Sequence, residues 1–262
     1  MTRRQIMNID TGAVQIEVIL HGQKGPLIVL LPAGGRGAED FNYLAKVLSE
    51  AGWRCAAVNP RGVAGSKGAL ENITLHAYAR DVAAVINALE GVPAAVIGHA
   101  HGNRVARCFA ADFPEMVRCI ILLAAGGKVP MAEEVVEAMT RLGGPLSEEE
   151  RLSALKIAFF AEISDPSVWM TGFWPDSVRA SRIASQSTPL AAWWSGGQTP
   201  MLILQGKEDR CAPPENGYLL KADFSDRVAV VDIDGAAHAL LPEQPEVIAE
   251  QVIHYLKNYL TC

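Results

Sequence analysis

The residues with the clearest chemical bearing lie in "VIGHAHGNRVAR", Val96 to Arg107. An apolar run meets a Gly-x-x-x-Gly turn, and a helical pattern follows. Turns of the form Gly-x-Ser-x-Gly place a nucleophilic hydroxyl on a sharp bend between a strand and a helix. Here the central residue is Ala100, and a methyl group cannot attack a carbonyl. Gly98 and Gly102 have a backbone reason, because so tight a turn needs residues without Cβ. His99 and His101 flank the alanine, but a tight turn splays their rings and no third ligand is evident, so no metal site is predicted.

A second chemically loaded residue is His238, in "DGAAHALLPE". Its small neighbours leave an imidazole free to face a cleft, where a carboxylate on one ring nitrogen makes it a general base near neutral pH. The bland alternative is a solvated surface histidine. The favoured carboxylate is Asp209, just after the apolar run "PMLILQG", with Glu208 as a possible substitute and a plain loop-capping role as the alternative. Such an acid holds the histidine tautomer and stabilises the imidazolium. Arg36 could face a pocket and bind a carboxylate or enolate, or equally be a solvated loop arginine. Cys211 and Ser66 are poor replacements for the missing hydroxyl, since Cys211 sits on the acid's own loop and Ser66 matches a structural serine.

These groups need a scaffold, and short β-rich runs alternating with amphipathic helices supply one: an α/β fold with a mostly parallel, doubly wound sheet. Strands are predicted over 13–20 (an antiparallel edge), 26–32, 53–60, 94–98, 117–125, 200–206 and 227–233. Helices are predicted over 38–52, 75–91, 102–114 and 244–260. Between Gly126 and Thr199 the rhythm breaks into helical patterning without a clear strand. The division is therefore a core over 1–126, a helical cap over 127–199 and the rest of the core over 200–262. Four of the five tryptophans fall in the cap. Trp169, Phe173, Trp174 and Trp194 are expected to line a substrate site, unless they, with Trp193, only build the cap's own core.

Composition narrows the class. A net charge of −6 argues against a nucleic-acid partner. No apolar run reaches membrane-spanning length, and "MTRRQIMNIDTG" lacks the apolar stretch of a signal peptide. Cys55, Cys108, Cys119, Cys211 and Cys262 show no CxxC spacing, which predicts reduced thiols and a cytoplasmic location. A small-molecule substrate, no cofactor, no membrane and possibly a homodimer complete the expectation.

Five landmarks carry a resemblance: "LLPAGGRGAEDF", "NPRGVAGS", "GHAHG", "GKEDRCAPPENG" and "GAAHALLPEQPE", in that order. The chain resembles the α/β-hydrolase fold superfamily over nearly its whole length. Its elbow is similar to that of an uncharacterised bacterial branch in which alanine is native. The resemblance implies a triad in the chain order nucleophile, acid, histidine, which maps onto Ala100, Asp209 and His238. It also implies an oxyanion hole from the backbone N–H groups of His101 and Gly34, with Ala33 the nearest alternative. Relatives often have His-Gly where this chain has Pro32-Ala33.

The expected function is a hydrolase-like enzyme acting on a small hydrophobic or aromatic molecule, with a His238–Asp209 dyad as general base and no serine ester. Proton abstraction, C–C cleavage (lyase chemistry) and cofactor-free oxygenation belong to the same reading. The alternatives are a serine esterase whose nucleophile was engineered to alanine, a non-catalytic small-molecule binder, and an enzyme with a nucleophile elsewhere.

Overall fold

The computed structural model describes residues 4–260. The chain opens with β1 (Gln5–Asp10), β2 (Gln15–His21) and β3 (Leu27–Leu31), then α1 (Asn42–Glu50), β4 (Arg54–Val58) and α2 (Leu75–Ala88). Next come β5 (Ala94–His99), α3 (His101–Asp112) and β6 (Val117–Leu123). The helices α4 (Glu133–Leu142), α5 (Glu148–Phe159), α6 (Pro175–Ser187) and α7 (Leu190–Trp193) follow without an intervening strand. The last elements are β7 (Met201–Gly206), α8 (Glu215–Asp223), β8 (Val228–Ile233) and α9 (Pro245–Leu256).

The eight strands form one sheet in the order β1-β2-β4-β3-β5-β6-β7-β8. β1, β2 and β4 pair antiparallel, and from β4 to β8 all pairings are parallel. Every residue of β3, β5 and β7 is buried, which is why these runs read as unbroken apolar stretches rather than alternating ones. On one face α2 and α3 pack Tyr78, Val82, Val105 and Phe109 against the sheet. On the other, α1 and α9 contribute Leu44, Leu48, Ile248 and Val252. Each such side chain contributes roughly 1.5–3 kcal/mol by leaving water.

Two expectations need correction. The 13–20 run is antiparallel but not the edge, because β1 pairs outside it from Gln5↔Leu20 to Asp10↔Gln15. β1 buries only Ile9, so its sequence carries no alternation to detect. Helix α8 was also not foreseen, since Pro213, Pro214 and Gly217 mask its pattern. Its prolines precede the helix, where a missing N–H costs nothing.

A third apolar cluster belongs to the segment between β6 and β7. Val135, Ala138, Leu155, Phe159, Phe160 and Trp169 pack together and reach Ala239, beside His238. Cys55, Cys108 and Cys119 are buried free thiols and Cys211 is half-buried, while Cys262 lies outside the described residues. No helix among the described residues is long and apolar enough to cross a membrane.

Candidate active site

A single residue separates β5 from α3. Ala100 bridges them at φ 49° and ψ −107°. A Cβ on Gly98 would meet Gly102 O at 2.3 Å, and one on Gly102 would meet Leu31 O at 2.2 Å, so both glycines are sterically obligatory. A non-glycine residue in such a backbone region costs on the order of 1–3 kcal/mol and persists only when its surroundings impose it. Here Ala100 N donates to Leu123 O at 3.0 Å, Asn103 N donates to Ala100 O at 3.1 Å, and Asn103 Nδ2 donates to Ala124 O at 2.9 Å. The strained turn is thus built in full around a residue with no nucleophile.

Asp209 and His238, the expected acid and base, lie on loops at the carboxyl ends of β7 and β8. Asp209 Oδ2 lies 3.0 Å from His238 Nδ1, and both side chains are buried. The carboxylate is anchored from behind: Oδ1 accepts from Cys211 N at 2.9 Å and Ala212 N at 2.7 Å, and Oδ2 accepts from Gln205 Nε2 at 3.3 Å. Gln205 is buried in β7, and its Nε2 also donates to Ala212 O at 2.6 Å. Burial opposes the charged imidazole, but Cys211 and Asp209 beside it outweigh that effect, so the His238 pKa stands well above the usual histidine value.

The His238 loop is fastened to the elbow and to the helical segment. His99 Nε2 donates to His238 O at 2.7 Å, and burial, with His238 adding to it, pushes the His99 pKa down to about 3. Glu243 accepts from Ala237 N and Leu240 N at 2.9 Å and from Ala161 N at 2.7 Å. The Phe159 ring lies 5.8 Å from the His238 ring, and Trp169 lies 5.5 Å from Phe159.

Two backbone N–H groups lie near the elbow. His101 N–H opens α3, Gly34 N–H follows β3, and neither has an acceptor among the described residues. They are close neighbours, since a Cβ on Gly34 would lie 3.5 Å from His101 Cβ and 3.2 Å from Ser181 Cβ of α6. Free N–H groups at a helix start favour negative charge. The His101 ring turns away from this spot, with Nδ1 3.3 Å from Ser185 Oγ and an edge contact to Tyr78 at 5.3 Å. Burial and then Arg104 bring its pKa down to about 3. His99 and His101 therefore engage different partners and do not converge on one point.

Several expected substrate contacts lie elsewhere. Arg36 is buried and already engaged, not solvated: Nε donates to Asp40 Oδ2 at 2.8 Å, Nη2 to Asp40 Oδ1 at 2.5 Å and Nη1 to Thr171 O at 2.7 Å. Its guanidinium also lies 4.6 Å from the Trp169 ring centre and 4.7 Å from that of Phe173. Trp169 and Phe173 do reach the dyad's aromatic surroundings. The Trp174 side chain is exposed, and its backbone N–H donates to Gly35 O at 2.9 Å. Trp194 is buried with Trp193 against Arg107, and its Nε1 donates to Asp223 Oδ2 at 2.6 Å. Sequence reasoning missed Gln205, Glu243 and Phe159, whose partners are brought together only by folding. Nothing in the sequence around Gln205, Phe159 or Glu243 singles out these three residues.

A profile of the α/β hydrolase fold matches residues 26–151. The chain is 24% identical over 253 residues to BpoC of Mycobacterium tuberculosis, which bears a non-heme bromoperoxidase name, covering 91% of this chain and 96% of that one. It is 25% identical over 223 residues to the 2-hydroxy-6-oxo-6-phenylhexa-2,4-dienoate hydrolase of Burkholderia cepacia, covering 78% of each. The structure of a thermophilic esterase from Thermogutta terrifontis superposes with a TM-score of 0.80 at 20% identity, over 98% of this chain and 100% of that one. With its sheet order, glycine-bound elbow and matching profile, the chain has the α/β-hydrolase fold.

Proposed function

We propose that the chain is a hydrolase of small hydrophobic or aromatic substrates that activates water directly, without an acyl-serine intermediate. His238 Nε2 takes a proton from water while Asp209 holds Nδ1–H and stabilises the imidazolium. The resulting hydroxide adds to the substrate carbonyl, and the oxyanion takes hydrogen bonds from Gly34 and His101 N–H. His238 then returns the proton to the leaving group as the tetrahedral species collapses. The Ala100 methyl leaves room for the water where a hydroxyl would stand.

The observation that carries this reading is the 3.0 Å His238–Asp209 pair, fastened by His99 to a strained elbow that retains its free donors. The strained turn costs stability, and together these features suit one reaction. The hydrolase and esterase names of the relatives support the class. Residues 127–199 act as the cap over this site, with Phe159 and Trp169 as its apolar wall and Arg36 as its rivet to the oxyanion loop. The buried thiols of Cys55, Cys108 and Cys119 support a reducing, cytoplasmic setting.

The test is His238→Ala assayed on a panel of aryl esters and vinylogous ketones. Removal of the base is expected to lower kcat by about 10²–10⁴-fold with the fold retained. Turnover unchanged in that variant rules the mechanism out.

A further inference from the structure

Away from the elbow, α2 and α3 bring three metal-ligating side chains to one point. His76 Nδ1 stands 2.7 Å from Asp112 Oδ2 and 3.4 Å from Cys108 Sγ, and Cys108 Sγ stands 3.8 Å from Asp112 Oδ2. Cys108 and Asp112 lie four residues apart at the end of α3, a spacing that puts both on one face of the helix. His76 lies in the first turn of α2, which packs along α3 and carries the imidazole across to that face. No other three His, Cys, Asp or Glu ligand atoms lie so close together among the described residues.

The distances can be set against a metal's own geometry. Tetrahedral zinc holds sulfur at about 2.3 Å and nitrogen or oxygen at about 2.0–2.2 Å, which spaces its ligand atoms about 3.3–3.6 Å apart. Both contacts to Cys108 Sγ fall within a few tenths of an ångström of that spacing. The His76–Asp112 contact is too short by about 0.6 Å, and these two side chains, 38% and 26% exposed, have room to part. Cys108 is fully buried and forms the floor, with the imidazole and carboxylate as a partly open rim.

The donor chemistry narrows the ion. One sulfur, one imidazole nitrogen and one carboxylate oxygen suit a borderline cation such as Zn²⁺, whereas Mg²⁺ and Ca²⁺ take oxygen ligands. As a thiol, Cys108 is held protonated: burial first, and then Asp112, push its pKa up to about 12, with Arg80 acting the other way. Coordination expels that proton to solvent, because a metal-bound thiol is deprotonated. The thiolate and the Asp112 carboxylate then match the two charges of the ion. The His76 ring keeps its single proton on Nε2 and offers Nδ1 as the ligand.

We infer that His76 Nδ1, Cys108 Sγ and Asp112 Oδ2 form a zinc site, with solvent water as the fourth ligand, that staples the start of α2 to the end of α3. Cys108 lies about 10 Å along the helix axis from His101, toward the end of α3 remote from the elbow. The site is independent of the proposed hydrolysis, and its test reads no turnover.

The experiment is titration of chelator-treated, reduced protein with Co²⁺, followed by displacement with Zn²⁺. One equivalent of Co²⁺ should give a thiolate charge-transfer band in the near ultraviolet, which Zn²⁺ bleaches. Cys108→Ala should abolish that band, whereas Cys211→Ala and Cys262→Ser should leave it in place. His76→Ala and Asp112→Ala, both at partly exposed positions, should each weaken Zn²⁺ binding tenfold or more. Zn²⁺ should raise the Tm of the unaltered protein and leave that of His76→Ala unchanged. Absence of the band at one equivalent overturns the inference, as does a band that survives Cys108→Ala or a Zn²⁺ affinity that His76→Ala and Asp112→Ala leave intact. Should Cys108→Ala fail to fold, the two rim variants still decide.

Discussion

Aromatic rings of the helical segment between β6 and β7 meet core arginines in two clusters that look alike in composition and differ in charge. In one, Arg36 lies against Trp169 and Phe173, and Asp40 neutralises it in a paired, buried contact. In the other, the fully buried Arg107 lies against Trp193 and Trp194, and no carboxylate pairs with it among the described residues. The difference separates a closed structural joint from a buried cation with no acid in place. A guanidinium with its acid in place rivets two segments together. One without it stays buried with Nη1 unpartnered, at a cost in stability.

The comparison can be broken in stages. The largest effect is expected chemically, where Ala100→Ser places a hydroxyl at the elbow beside an otherwise intact dyad. That variant should gain an acyl-enzyme burst on aryl esters, with a rate increase of at least about 10²-fold if the His238–Asp209 pair is competent. Rapid-quench mass spectrometry would detect the adduct, and its absence would mean the dyad does not face Ala100. Next, Asp40→Ala strands Arg36 as a buried, unpaired cation. We expect a loss of about 3–5 kcal/mol in urea unfolding, and a loss below 1 kcal/mol would show Arg36 to be no rivet.

Arg107→Met has no ion pair to break, so its cost should be smaller than that of Asp40→Ala. The hydrogen bonds to Asn103 and Gly126 are worth about 1–3 kcal/mol together, and relief of the unpaired charge acts against that loss. If Arg107→Met destabilises more than Asp40→Ala, the contrast between the clusters is wrong.

The smallest effect concerns pH. Because the His238 pKa is raised, stability from its charged form is complete below the ordinary value of 6.5 and is lost as pH rises through the raised folded value. A rate that needs the neutral ring does the opposite and climbs over that same range. Cys211→Ala removes one of the two groups that raise the pKa, so the kcat profile should shift to lower pH. A profile that stays in place would show that Asp209 alone sets the base. Turnover abolished by Cys211→Ala would instead make the thiol the nucleophile.

Much of this site was legible before folding, for reasons that vary by residue. Gly98 and Gly102 betray the elbow because sterics allow nothing else there. β3 and β5 betray themselves because burial on both faces removes every polar side chain. β1 stayed hidden since an edge strand burying only Ile9 has no pattern to show. Arg36 looked free because Asp40 and Thr171 close on it only when the 33–40 loop meets the segment before α6. Trp174 and Trp194 could not be told from Trp169, since hydrophobicity says that a ring will be covered and not by what.

By itself, the sequence determined the alternation of strands and helices, the glycine-bound turn and the identities of Ala100, Asp209 and His238. Those follow from local rules, namely periodicity, sterics and side-chain chemistry. The tertiary structure decided which charges are matched: Arg36 with Asp40, His238 with Asp209, and the buried Arg107 with no carboxylate among the described residues. Pairing across distances as great as the 135 residues between Arg36 and Thr171 depends on where the loops converge. Electrostatic compensation is a property of neighbours in space, and linear order does not contain it.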